Sequence, residues 1–158
     1  MAETTVSDLY WNELKQEAEK TADSEPLLRT ALEKSVLNAS GFDQALARVC
    51  SFSLANNIVG RTELYSMCMQ AYEAQPELLE IAACDMRAVI ARDPASADSV
   101  MVPFLFLKGT RVLQLWRVSH WLWVNGRKAL ARYVQCAISL PTYPLRSGNA
   151  RCKSNPTQ

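Results

Sequence analysis

Glycine is scarce: there are five in 158 residues. That excludes a turn-rich β fold and a glycine-rich phosphate loop. Histidine occurs once, as His120, and the five cysteines (Cys50, Cys68, Cys84, Cys136, Cys152) contain no C-x-x-C pair. An odd set of thiols at such spacings carries no metal signature and suits a reducing, cytoplasmic setting. Long apolar runs are missing too. The uncharged stretch Val100 to Leu107 falls far short of the ~20 residues a membrane span needs. The opening MAETTVSDLYWNEL is acidic and polar, unlike a signal or transit peptide. A cytoplasmic chain that crosses no membrane is expected.

Acids are absent from the last third. Residues 1–98 carry 8 Lys+Arg against 16 Asp+Glu, whereas residues 99–158 carry 9 against none, within an overall charge of +1. Two opposed halves most simply face each other, within one chain or across a subunit boundary. A nucleic acid or anionic membrane is the poorer partner for the basic half, because its cations are interleaved with large apolar residues at helical spacing.

What is present is helix. At 49% apolar and 21% charged, the composition is that of one globular domain with a real core. Ser7-Asp8 caps a first helix (Leu9, Tyr10, Leu14, Glu17, Ala18) that frays near Thr21. Ser24-Glu25-Pro26 starts a second, with Leu27, Leu28, Leu32 and Val36 as its stripe, closed by Asn38 to Gly41. Phe42 to Asn56 forms a third (Ala45, Leu46, Val49, Phe52, Leu54), and Thr62 to Ala74 a fourth with Leu64, Tyr65, Cys68 and Tyr72 inward. Pro76 opens a fifth, PELLEIAACDMRAVIAR, whose Leu78, Leu79, Ala82, Met86, Val89 and Ile90 repeat every three or four residues.

The densest stretch is PFLFLKGTRVLQLWRVSHWLWVNGRKALARYVQ, Pro103 to Gln135. Lys108, Arg111, Gln114, Arg117 and His120 recur every three residues, so at ~100° per residue they spiral around the helix and line no single wet face. Such a helix needs neighbours on several sides, some supplying acceptors for half-buried cations. It is predicted to be the central helix, ended by a left-handed cap at Asn125-Gly126 and followed by a helix from Arg127 to Ile138. His120 is expected in a structural role, hydrogen-bonded in the core or at a helix contact. Cys84, flanked by alanines inside a helix, reads as packing and not as a nucleophile. The whole is an all-α bundle of about six to seven helices.

Asp93 stands out. Pro94 bars it from the helical region, so it must swing off the end of the fifth helix. A carboxylate is disfavoured at that end of the dipole. Either Arg92 or a basic residue of the Trp-rich helix neutralises it, or it belongs to a site. Residues 140–158, with three prolines, one glycine, three basic residues and no acid, are expected to be disordered.

Residues 82–95 (AACDMRAVIARDPA), 103–123 (PFLFLKGTRVLQLWRVSHWLW) and 125–131 (NGRKALA) resemble the N-terminal helical domain of bacterial serine O-acetyltransferases. The earlier segments WNELKQEA, EPLL and LANN fit in the same order, so the resemblance covers roughly residues 8–138. It implies a domain of residues 1–139 that assembles into homo-oligomers and is coupled to a hexapeptide β-helix. In that family acetyl-CoA, the co-substrate, binds along the β-helix, where a histidine aided by an aspartate deprotonates L-serine and L-cysteine inhibits. The same resemblance places a substrate-contacting role on Asp93, with Pro94 beside it.

No hexapeptide repeat follows Ile138, and His120 matches the helical motif, not the catalytic base. This chain is therefore expected to hold no catalytic residue, cofactor or metal, and to be inactive alone: a truncated enzyme, or a non-catalytic module pairing with itself or with full-length enzyme. Residues 140–158 read as a frameshifted ending beginning near Ile138, with a shortened gene product as the alternative. The other two frames of the coding DNA decide between them.

Overall fold

The computed structural model describes residues 4–55, 59–96 and 99–139. The expected disordered tail, residues 140–158, lies outside the described residues. Within them the chain is all helical: α1 (Val6–Ser24), α2 (Pro26–Leu32), α3 (Phe42–Leu54), α4 (Arg61–Ala74), α5 (Glu77–Arg92), α6 (Lys108–Val124) and α7 (Lys128–Ser139). Two π turns, Glu33–Leu37 and Val102–Phe106, and a 3-10 turn, Pro94–Ser96, complete it.

The first helix starts earlier than Ser7-Asp8 predicts. Thr5 is the N-cap: its hydroxyl accepts from Asp8 N–H and its own N–H donates to the Asp8 carboxylate, both at 3.2 Å. That leaves Ser7 to hydrogen-bond Glu80 on α5, which holds the Glu80 carboxyl below its ordinary value. Nor does α1 fray at Thr21. It runs to Ser24, where Glu25 turns out of the helix (φ −126°, ψ 81°) and Pro26 opens α2. The cap predicted for Ser24 is therefore absent.

Tyr10, Leu14, Ala18 and Ala22 form the buried face of α1 at the expected spacing. Tyr10 packs edge-on against Phe42 of α3, and Phe42 meets Phe104 of the second π turn, with ring centroids 5.5 and 6.1 Å apart. The Tyr10 hydroxyl donates to the Val100 carbonyl at 2.5 Å, so its burial leaves no unpaired group. Glu17, on the rim of that face, accepts from the Val100 and Met101 N–H groups at 2.9 and 3.1 Å and from the Ser99 hydroxyl. It satisfies the free donors at the start of the second π turn and ties the run-up to α6 back onto α1.

The long central helix expected from Pro103 is broken at Leu107, which is extended (φ −90°, ψ 111°). Pro103 supplies no N–H, the turn closes instead through Leu107 N–H to the Val102 carbonyl at 3.1 Å, and α6 begins afresh at Lys108. The Thr110 hydroxyl meets the carbonyls of Pro103 and Leu107, repairing the break. The cap at Asn125-Gly126 forms as predicted. Gly126 has φ 79°, and Arg127 N–H reaches the Leu122 carbonyl at 2.9 Å.

Candidate functional site

Asp93 leaves α5 as the sequence requires. It is extended (φ −104°, ψ 109°), with its N–H still bonded to the Val89 carbonyl at 2.8 Å. One carboxylate oxygen, Oδ1, accepts from the Ala95 N–H at 2.9 Å, closing an Asx turn over Pro94. No donor among the described residues reaches Oδ2.

The carboxylate lines an open cleft of about 660 Å³ between the end of α5 and the start of α6. Val89, Leu107 and Leu113 give the cleft its apolar wall, and Arg92 and Lys108 line it with cationic groups. Asp93 and Pro94 are thus together in one cleft, half-buried and exposed respectively.

Asp93 forms no ion pair among the described residues. Their three ion pairs are Arg29 with Asp23, Arg87 with Glu13, and Arg117 with Asp85. The basic group that α6 sends toward α5 goes to Asp85, eight residues before Asp93. Arg117 Nη1 donates to Asp85 and, at 2.9 Å, to the Gln114 side-chain Oε1; Gln114 Nε2 donates to Asp85 at 3.2 Å. This network is the acceptor that the spiralling polar groups of α6 demanded. It pins α5 to α6 beside the cleft.

Two expectations fail. His120 is hydrogen-bonded neither in the core nor at a helix contact: it is exposed and lies flat on Trp116 of its own helix, centroids 5.8 Å apart and rings 8° from parallel. Its position on the outer face of α6 follows from the spiral, which turns every third residue to a different side. It does not line the Asp93 cleft. Cys84 is exposed, not packed, because the buried side of α5 is taken by Ala82, Ala83 and Met86. Phe52 and Trp116 are 43% and 52% exposed, so the apolar stripes of α3 and α6 are wider than their neighbours cover.

Two thiols are packed. Cys50 and Cys68 are buried beside Tyr72, and burial pushes the Cys50 thiol up to about 12. Among the described residues no cluster of histidine, cysteine or acidic groups is placed to hold a metal ion, and no helix is long and apolar enough to cross a membrane. Asp85, Lys108 and Thr110 are cleft residues that the sequence did not single out for a site. The available signal was the need of Gln114 and Arg117 for an acid one helix away.

Residues 10–115 match the family described as "Serine acetyltransferase, N-terminal". The serine acetyltransferase of Escherichia coli (strain K12) is 38% identical over 133 residues, covering 84% of this chain and 48% of that protein. A solved serine acetyltransferase in complex with cysteine superposes with a TM-score of 0.80 at 36% identity, over 82% of this chain and 54% of that one. Soybean serine acetyltransferase complexed with serine gives 0.81 at 31%, over 86% and 56%. The chain spans about half the length of the curated relatives it matches.

Proposed function

The chain belongs to the serine acetyltransferase family through its N-terminal domain, and on that basis we propose that it is the helical module of a serine O-acetyltransferase, the enzyme that makes O-acetylserine for cysteine synthesis. Asp93 is its contribution to the amino-acid site. The observation that carries this is the Asp93 carboxylate, thrown off α5 by Pro94 into an open cleft with Oδ2 unpartnered among the described residues. A carboxylate there accepts from the ammonium group, the cationic donor that L-serine offers. L-Cysteine carries the same ammonium and competes for it.

Acetyl transfer also needs a base within hydrogen-bond reach of the serine hydroxyl. The one histidine of these residues, His120, stacks on Trp116 and does not line the cleft. On this reading the base and the acetyl-CoA surface are supplied by another part of the enzyme, and this polypeptide alone neither transfers acetyl nor binds acetyl-CoA. Its place is the cytoplasm, where acetyl-CoA and reduced thiols coexist.

The purified chain, given acetyl-CoA and serine, should release CoA no faster than buffer. The complementary experiment grafts this chain's aligned segment onto the Escherichia coli enzyme in place of the 133 matching residues. The graft should retain acetyl transfer; a folded but inactive graft overturns the reading.

A second reading, a non-catalytic interaction module, is favoured by the exposed face of α6. Leu113, Trp116, Trp123 and Val124 are 39%, 52%, 38% and 63% exposed and recur at helical spacing. A homo-oligomer through the helical domains, or pairing with full-length enzyme, would cover it. Light scattering at rising concentration tests this, and a strict monomer that ignores full-length enzyme removes it. A nucleic acid is the poorer partner for the basic half on this reading, as Arg117 is paired with Asp85 and Lys128 and Arg132 sit over Trp123.

A further inference from the structure

Apart from the Asp93 cleft, a groove of about 600 Å³ opens between the Glu33–Leu37 turn, α3 and α4. Lys34, Arg48 and Arg61 line it, together with the side chains of Thr62, Tyr65 and Phe52. Three cations from three elements meet there, and among the described residues no acid lines the groove. None of the three belongs to an ion pair among the described residues.

Their positions are set by other contacts. Arg48 gives Nη2 to the Asn38 carbonyl at 2.7 Å. Arg61 lays its guanidinium on the Phe52 ring, 3.9 Å from the centroid, which leaves the in-plane N–H donors at its edge uncovered. The nearest acid in α4, Glu63, is folded back toward Gly60, where an added Cβ would lie 2.5 Å from its Oε2.

A second cavity of about 470 Å³ adjoins, sharing Lys34 and Phe52 and adding Leu27, Val49 and Arg111. The Arg111 Nε is buried without a hydrogen-bond partner.

Like charges gathered without counter-charge repel, and an anion relieves that repulsion. Guanidinium forks, a lysine point charge and neutral hydroxyl donors form the set that a tetrahedral oxyanion accepts from. The adjoining cavity carries apolar surface from Ala31, Val49 and Phe52 beside the cations Lys34 and Arg111. We propose that this groove binds the phosphate group of a phosphate monoester whose apolar part lies in the adjoining cavity. The site is separate from the serine cleft and does not depend on the acetyltransferase reading.

Isothermal titration of the full chain with phenyl phosphate, at constant ionic strength, should show saturable one-to-one binding. Lys34→Gln and Arg61→Gln should each weaken it about tenfold, the loss of one charge-assisted contact. Lys20→Gln, away from the groove, should leave it unchanged. Circular dichroism checks each variant's fold, and Arg61→Lys, which keeps the charge but not the fork, replaces Arg61→Gln should that variant unfold, with a smaller loss expected. Absence of saturable binding overturns the proposal, as does equal weakening by Lys20→Gln. Retention on phosphatidate vesicles without binding of phenyl phosphate overturns it too, because it places the recognition in a lipid surface.

Discussion

Asp85→Ala removes the acceptor on which two α6 side chains converge. Gln114 is 2% exposed, and the side chains of Arg117 and Asp85 are 20% and 27% exposed. Breaking a fully buried pair costs about 3–5 kcal/mol, whereas exposed pairs contribute about 0–1 kcal/mol. This pair lies between those limits, and the Gln114 amide loses its acceptor as well, at about 1 kcal/mol. The expected loss is about 2–3 kcal/mol, which for a domain of this size lowers Tm by roughly 6–10 °C. Thermal and urea unfolding followed by far-UV circular dichroism measure it. Combined with Arg117→Met, the two changes should couple by about 1 kcal/mol or more. A loss under about 0.5 kcal/mol, or strictly additive effects, would refute the claim that this network fixes α5 against α6.

Other outcomes follow from the buried thiols and the turn. Burial raises the Cys50 thiol to about 12 and the Cys68 thiol and Tyr72 phenol well above their ordinary values. The folded chain keeps these protons where the unfolded chain has lost them, so stability present below about pH 9 falls as pH rises, by up to about 1.4 kcal/mol per pH unit per group. Urea midpoints should drop between about pH 8 and about pH 10, and equal midpoints would contradict the burial. Brief alkylation of the native protein, mapped by peptide mass, should modify the exposed Cys84 and Cys136 and spare Cys50 and Cys68. Modification of Cys50 at the rate of Cys84 would show that the α3–α4 core is open. Gly126→Ala should cost about 1 kcal/mol in urea unfolding, because a Cβ there meets nothing within 4 Å and the strain is that of φ 79°. An unchanged midpoint would mean that the turn can relax.

The helices were legible wherever apolar spacing and punctuation agreed. Pro76 and Pro94 bracket α5, Asn125-Gly126 ends α6, and the buried set Leu78, Ala82 and Met86 follows the predicted period. Asp93 was legible for a covalent reason, since a proline constrains the residue before it whatever the fold. What failed depends on tertiary partners. The break at Leu107 is stabilised by the Thr110 hydroxyl on two carbonyls, and no local pattern announces such a contact. Thr5 displaced Ser7 as the cap because Ser7 found Glu80, 73 residues away. The setting of His120 suggests a hydrogen-bonded role in the core or at a helix contact, yet a residue's side of the helix is fixed by phase, and the phase of α6 turns His120 outward. The cationic groove around Phe52 was illegible for the same reason, as Lys34, Arg48 and Arg61 come together only when three elements pack.

Asp93 tests the account most directly. In the graft onto the Escherichia coli enzyme, Asp93→Asn keeps the size and the Asx turn but removes the charge that accepts the serine ammonium. Loss of one charge-assisted hydrogen bond, about 1.5–3 kcal/mol, should raise KM for serine about tenfold or more while KM for acetyl-CoA stays unchanged. An unchanged KM for serine in a folded, active graft would contradict the assignment of Asp93 to the amino-acid site.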